Sequence, residues 1–133
     1  MSLVETKQAK VFFMTIENDI VYCSFDADII IDENIIKEVI LAKNSLTENK
    51  KTPFIVDFRQ VKYFLQGAKD LFFSKEGFLS EQPLAIILNS FIIQTSINFM
   101  FDTNKIETPF KMCVNEDKAE QWIEKTLQKQ FKK

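Results

Sequence analysis

The chain contains no histidine. The side chain whose unperturbed pKa lies nearest neutrality is therefore missing. That excludes Ser-His-Asp and Cys-His catalysis, His-ligated zinc and phosphohistidine relays. Glycine is almost as scarce. Gly67 and Gly77 are the only two, and neither sits in a glycine-rich phosphate loop. Arg59 is the only arginine, and the net charge is −2. Proteins that read nucleic acid lean on arginine and a basic face, so no nucleic-acid partner is expected.

The two cysteines, Cys23 and Cys113, form no CxxC pair and no metal spacing. Buried free thiols in a reducing compartment are the expectation. With no motif for a metal or an organic cofactor, none is expected. No apolar run reaches the roughly 20 residues that span a bilayer, and Met1 to Lys10 lacks the apolar core of a signal peptide. These readings give a cytoplasmic protein without integral membrane association.

What the chain has in excess is phenylalanine, with 14 against one Trp and two Tyr. Phe carries no polar handle and goes inside. A chain of 133 residues, 46% hydrophobic and 27% charged, fits a single domain over 1–133. Folding at this size buries roughly two-thirds of the unfolded surface. Residues 1–9 read as a loose N-terminal tail.

Lys10 to Glu17 (KVFFMTIE) and Ile20 to Phe25 (IVYCSF) read as two strands joined by the turn dipeptide Asn18-Asp19. Asp32 reads as the N-cap of a helix running to about Thr47, with Ile35, Ile36, Val39, Ile40 and Leu46 near helical spacing. Pro53, Pro83 and Pro109 each open a short apolar run, and proline is tolerated at a strand's first residue. Phe54–Asp57, Leu84–Leu88 and Phe110–Val114 are the strands that result. Helices are expected over Gln66–Glu76 with Gly77 as its stop, over Phe91–Phe101, and after the Asn115 cap, where Ala119, Trp122, Ile123 and Leu127 share a face. The order is ββαβαβαβα with four helices. Strands alternating with helices imply an α/β fold with a mixed, mostly parallel sheet, extended by the N-terminal β-hairpin.

Two segments are candidate sites. The loop after Asp57 follows the carboxyl end of a parallel strand and leads to a helix N-terminus, the edge that open α/β sheets use. Arg59, Lys62, Tyr63, Gln66 and Gly67 lie there and are candidates for binding a partner. The structural alternative packs Tyr63 and Phe64 down and pairs Arg59 with a surface acid. The helix Phe91–Phe101 is apolar on more than one stripe, through Phe91, Ile92, Ile93, Ile97, Phe99, Met100 and Phe101. Such a helix meets a second subunit or a lipid-like apolar ligand, or packs into the core. Phe72, Phe73 and Phe78 read as core, with the gate of an apolar pocket as the alternative. Asp26, Asp28, Asp32 and Glu33 lack EF-hand spacing and read as capping and turn residues.

IVDFRQVKYF (Ile55 to Phe64), LAIILNSFIIQTSINFMFDTNK (Leu84 to Lys105) and FKMCVNEDKAEQWIEK (Phe110 to Lys125), in this element order, resemble the STAS or SpoIIAA-like family. The likeness is to its small bacterial branch, also labelled STAS/SEC14-like, and covers almost the whole chain. The resemblance implies the SpoIIAA-like fold and a non-catalytic regulatory or protein-interaction role, with an unidentified protein partner and a homodimer as expectations. Binding of a small apolar, lipid-like molecule is the alternative. The family's regulatory members carry a phosphoacceptor serine in an Asp-Ser-Ser-Gly stretch. Here the equivalent positions read Leu65-Gln66-Gly67-Ala68, so the hydroxyl is absent and the phospho-switch is not expected at this site.

Overall fold

The computed structural model describes residues 2–5, 11–80, 82–89 and 108–131. Eight strands are described: β1 Ser2–Glu5, β2 Phe12–Glu17, β3 Ile20–Phe25, β4 Ile29–Ile31, β5 Phe54–Asp57, β6 Val61–Phe64, β7 Leu84–Ile87 and β8 Phe110–Cys113. The described helices are α1 Glu33–Thr47, α2 Gln66–Phe72 and α3 Glu116–Phe131. None of them is long and apolar enough to cross a membrane.

The β2–β3 hairpin closes through Asn18 and Asp19, both at positive φ (52° and 62°). Two left-handed residues match the twist of the flanking strands, and Asn and Asp tolerate that region better than other non-glycine residues. The three prolines sit just before parallel strands or at their mouths, and their carbonyls enter the ladder. Pro53 O accepts from Val21 N at 3.0 Å, Pro83 O from Phe54 N at 3.0 Å and Pro109 O from Leu84 N at 2.9 Å. The missing proline N–H is not called upon.

Six strands form one sheet in the order β1-β2-β3-β5-β7-β8. The first two pairings are antiparallel and the rest parallel. The parallel strands step across the sheet in one direction, so right-handed crossovers place α1 and α2 on the same face. Side chains alternate across the sheet. Met14, Val21, Cys23, Phe54, Val56, Leu84 and Ile86 point at α1 and α2 and form the larger core with Ile36, Val39, Ala68 and Phe72. Ile20, Ile55, Ala85, Ile87 and Cys113 point the other way, under Ala119 and Ile123 of α3. The layers are α1/α2, sheet and α3.

The phenylalanines form a connected set inside the larger core. Phe58 packs on Phe25 (5.8 Å between ring centroids), Phe64 (5.0 Å) and Phe72 (5.6 Å), and Phe78 bridges Phe72 (4.4 Å) and Phe54 (4.5 Å). Phe72, Phe73 and Phe78 are therefore core. α1 starts where expected: the Asp32 carboxylate accepts from Ile35 N at 2.9 Å. It ends at Glu48 in the left-handed region.

Four sequence expectations change. Residues 2–5 of the supposed tail are strand β1, paired antiparallel with β2. Ile29–Ile31 and Val61–Phe64 pair in parallel as a separate two-stranded sheet, so the element order is richer than ββαβαβαβα. α2 stops at Phe72, short of Glu76. A turn follows in which a Cβ at position 77 would overlap the carbonyl oxygens of Leu71 and Phe72. Gly77 thus serves a close approach one turn beyond the helix. Of the four helices expected, three are described; the one over Phe91–Phe101 lies outside the described residues.

Candidate functional site

β4 and β6 begin three residues beyond the carboxyl ends of β3 and β5. They form a ledge at the end of the sheet where the candidate loop lies. Asp28 at φ 60° turns the chain into β4, and its N–H donates to Gln60 O at 2.9 Å. Ile29 then pairs with Val61, Ile30 with Tyr63 and Ile31 with Phe64, with an irregularity between Ile29 and Ile30. The extra residue is Lys62, and such a bulge re-aims side chains locally.

Period-two alternation divides the ledge. Val61 and Ile31 are buried in the larger core, while Ile30 is 47% exposed and its neighbour Tyr63 59% exposed. Leu65 N donates to Ile31 O at 3.0 Å, which carries the ledge on to Leu65, itself 48% exposed. The Lys62 ammonium lies 5.9 Å from the Tyr63 ring centroid. The outer surface is thus three large apolar side chains beside one ammonium.

The five loop residues named from the sequence do different things. Lys62 and Tyr63 face outward. Arg59 does not reach away from the protein. Its Nη2 donates to Asp57 Oδ2 and to Glu116 Oε1, both at 2.7 Å, and its Nε to Asp57 Oδ1 at 3.0 Å. Hydrogen bonding to Asp57 raises the guanidinium pKa most, and partial desolvation opposes it. This clamp ties the end of β5 to the first turn of α3. Gln66 donates to Asp70 at 2.8 Å. Gly67 faces α1, and a Cβ there would stand 3.1 Å from Glu33 Oε1.

Sequence reasoning missed Ile30 and Leu65. The signal was available for Ile30, since three consecutive isoleucines in a strand must place at least one on the outer face. Phe91, Ile92, Ile93, Ile97, Phe99, Met100 and Phe101 lie outside the described residues.

Other groups with chemical potential are occupied or held neutral. Burial pushes the Cys23 thiol pKa up, with Asp57 adding to it, and burial raises that of Cys113 against the pull of Lys111. The two thiols belong to opposite faces of the sheet. The Ser74 hydroxyl donates to Leu71 O at 2.6 Å and accepts from Gly77 N at 3.2 Å. Glu33 pairs with Lys37 at 3.4 Å, and Asp32 is the α1 cap. Among the described residues no group of three His, Cys, Asp or Glu side chains is placed to hold a metal ion.

The class these features define is a three-layer α/β domain with a small apolar ledge at the carboxyl end of its parallel strands. The chain belongs to the DUF7793 family, a domain of unknown function, whose family model matches residues 14–127. No curated protein and no solved structure matches it.

Proposed function

We propose that the chain is a non-catalytic interaction module, of the kind the STAS-like resemblance implies, and that the β4–β6 ledge is where it docks a protein partner. One observation carries this reading. Six large hydrophobic side chains are exposed among the described residues, and three of them, Ile30, Tyr63 and Leu65, share the ledge. Apolar surface gathered in one place marks an interaction site more than scattered residues do. Lys62 lies in the same patch and makes no ion pair among the described residues. The fitting partner surface presents apolar side chains next to a carboxylate. A tyrosine among aliphatics is a common anchor of such contacts.

A photo-crosslinker at position 63, used in the native host, identifies the partner. Binding is then measured between the two purified proteins. Ile30→Asp combined with Leu65→Asp should weaken it by at least about a hundredfold, as expected for buried anchors. Lys62→Glu should weaken it and be rescued by reversing one carboxylate on the partner. Unchanged affinity in the double variant refutes the ledge. Sedimentation equilibrium of the same variants tells whether the partner is a second copy.

A further inference from the structure

The face of the sheet opposite the phenylalanine core carries a cleft of about 310 Å³ between α3 and strands β2 and β3. This is within the range of small-molecule sites. Its floor follows from strand pairing. Thr15 stands opposite Tyr22, Phe13 opposite Ser24, and Ser24 opposite Asp57. Glu120 and Glu116 of α3 form the far wall, and Glu17 closes the near end.

Two independent features point to a ligand. The first is Thr15. It is only 8% exposed, it lines the cleft, and its hydroxyl has no hydrogen-bond partner among the described residues. Buried hydroxyls are normally satisfied, and one left unpaired costs free energy. The second is charge. Four carboxylates line the cleft against the single guanidinium of Arg59, which is shared by Asp57 and Glu116. Four minus one leaves three negative charges. Tyr22 donates to Glu120 at 2.6 Å, and its pKa is pushed up by burial first and then by Glu120, Glu17 and Glu124.

The shape of this charge selects among cations. No three of these groups converge on one point to hold a metal ion. Glu17 and the Asp57–Glu116 pair lie instead at opposite ends, four residues along the strands and two strands across, roughly 16 Å between Cα positions. Between them are the Thr15 hydroxyl and the Phe13 ring, 44% exposed, whose face attracts ammonium groups. We propose that this cleft binds a linear aliphatic polyamine, with one ammonium at Glu17, one at the Asp57–Glu116 end, and the Thr15 hydroxyl accepting from an amine along the chain. This site is separate from the ledge and stands or falls without it.

The test is calorimetric titration of the full-length protein with spermidine, 1,4-diaminobutane and 1-butylamine. Affinity should fall in that order. Thr15→Val should weaken spermidine at least about fivefold, the worth of one hydrogen bond to a charged group. It should also raise the melting temperature of the free protein, because an unpaired buried hydroxyl is removed. Thr15→Ser should retain binding. Glu17→Gln should weaken spermidine and leave 1-butylamine affinity nearly unchanged. Absence of binding at millimolar spermidine overturns the proposal. So does binding that Thr15→Val leaves unaltered, which would be general attraction to an acidic surface.

Discussion

The two faces of the one sheet make a useful contrast. Along β2 and β3, successive residues go to opposite sides. Phe12, Met14, Val21 and Cys23 enter a closed apolar core, whereas Phe13, Thr15, Tyr22 and Ser24 line a polar cleft. Under β5 and β7 both sides are apolar, because Ile55, Ala85 and Ile87 lie beneath Ala119 and Ile123 of α3. The second face therefore changes character part-way across the sheet. A strand buried on both sides reads as a continuous apolar run, and one buried on a single side alternates. The polar face of β2–β3 is what leaves room for a ligand site, and the apolar face sets the stability.

The strongest way to break this contrast is truncation. Phe58 is almost fully buried and touches three other rings, so Phe58→Ala should cost about 3–5 kcal/mol in urea denaturation. Phe13→Ala, on the other face, should cost less than about 1 kcal/mol. Equal losses would mean that the second face is also core.

Alkaline pH sharpens the comparison next. Burial raises the folded-state pKa of Cys23. An unfolded thiol ionises near pH 8.5, so the stability is fully present below about that pH and falls above it, by up to about 1.4 kcal/mol per pH unit. Cys113 and Tyr22 are shifted the same way. Lys43, whose pKa burial lowers, works in the opposite sense as pH approaches its unfolded value. Cys23→Ala should flatten the decline that begins near pH 8.5 in melting curves, because its proton no longer differs between the folded and unfolded states. An unchanged slope would assign the decline to the other face.

Smaller effects follow from the polar face. Arg59→Ala removes a two-pronged clamp that is partly open to solvent, with Glu116 58% exposed. It should cost about 1 kcal/mol in chemical denaturation, shrinking in high salt. Tyr22→Phe removes the bond to Glu120 and should cost about 0.5–1 kcal/mol, while freeing the Glu120 carboxylate for an amine. Tighter spermidine binding in Tyr22→Phe would sharpen the picture of the cleft.

Much of the fold was legible because its cues are local. Asn18-Asp19 marks a hairpin, proline opens strands, and Asp32 and Asn115 accept from N–H groups three residues on, at 2.9 Å in both cases. Of the loop residues named as a site, Lys62 and Tyr63 are the pair that lie on the β4–β6 ledge, while Gln66 and Gly67 are exposed on α2. β1 was not legible, since Ser2–Glu5 is short and has no marked alternation, and only its pairing to β2 makes it a strand. β4 and β6 were not legible either, because each is three or four residues long and is stabilised by the other, more than thirty residues away.

The sequence by itself determined the hairpin, the helix starts, the largely parallel order of strands and the lack of histidine chemistry. These depend on residues within a turn or two of one another, or on composition alone. The tertiary structure decided that Arg59 is held by Glu116, that Ile30 and Leu65 join Tyr63, and that Thr15 is buried with no hydrogen-bond partner among the described residues. Each of these depends on which distant segments the sheet brings side by side, and local periodicity carries no information about that.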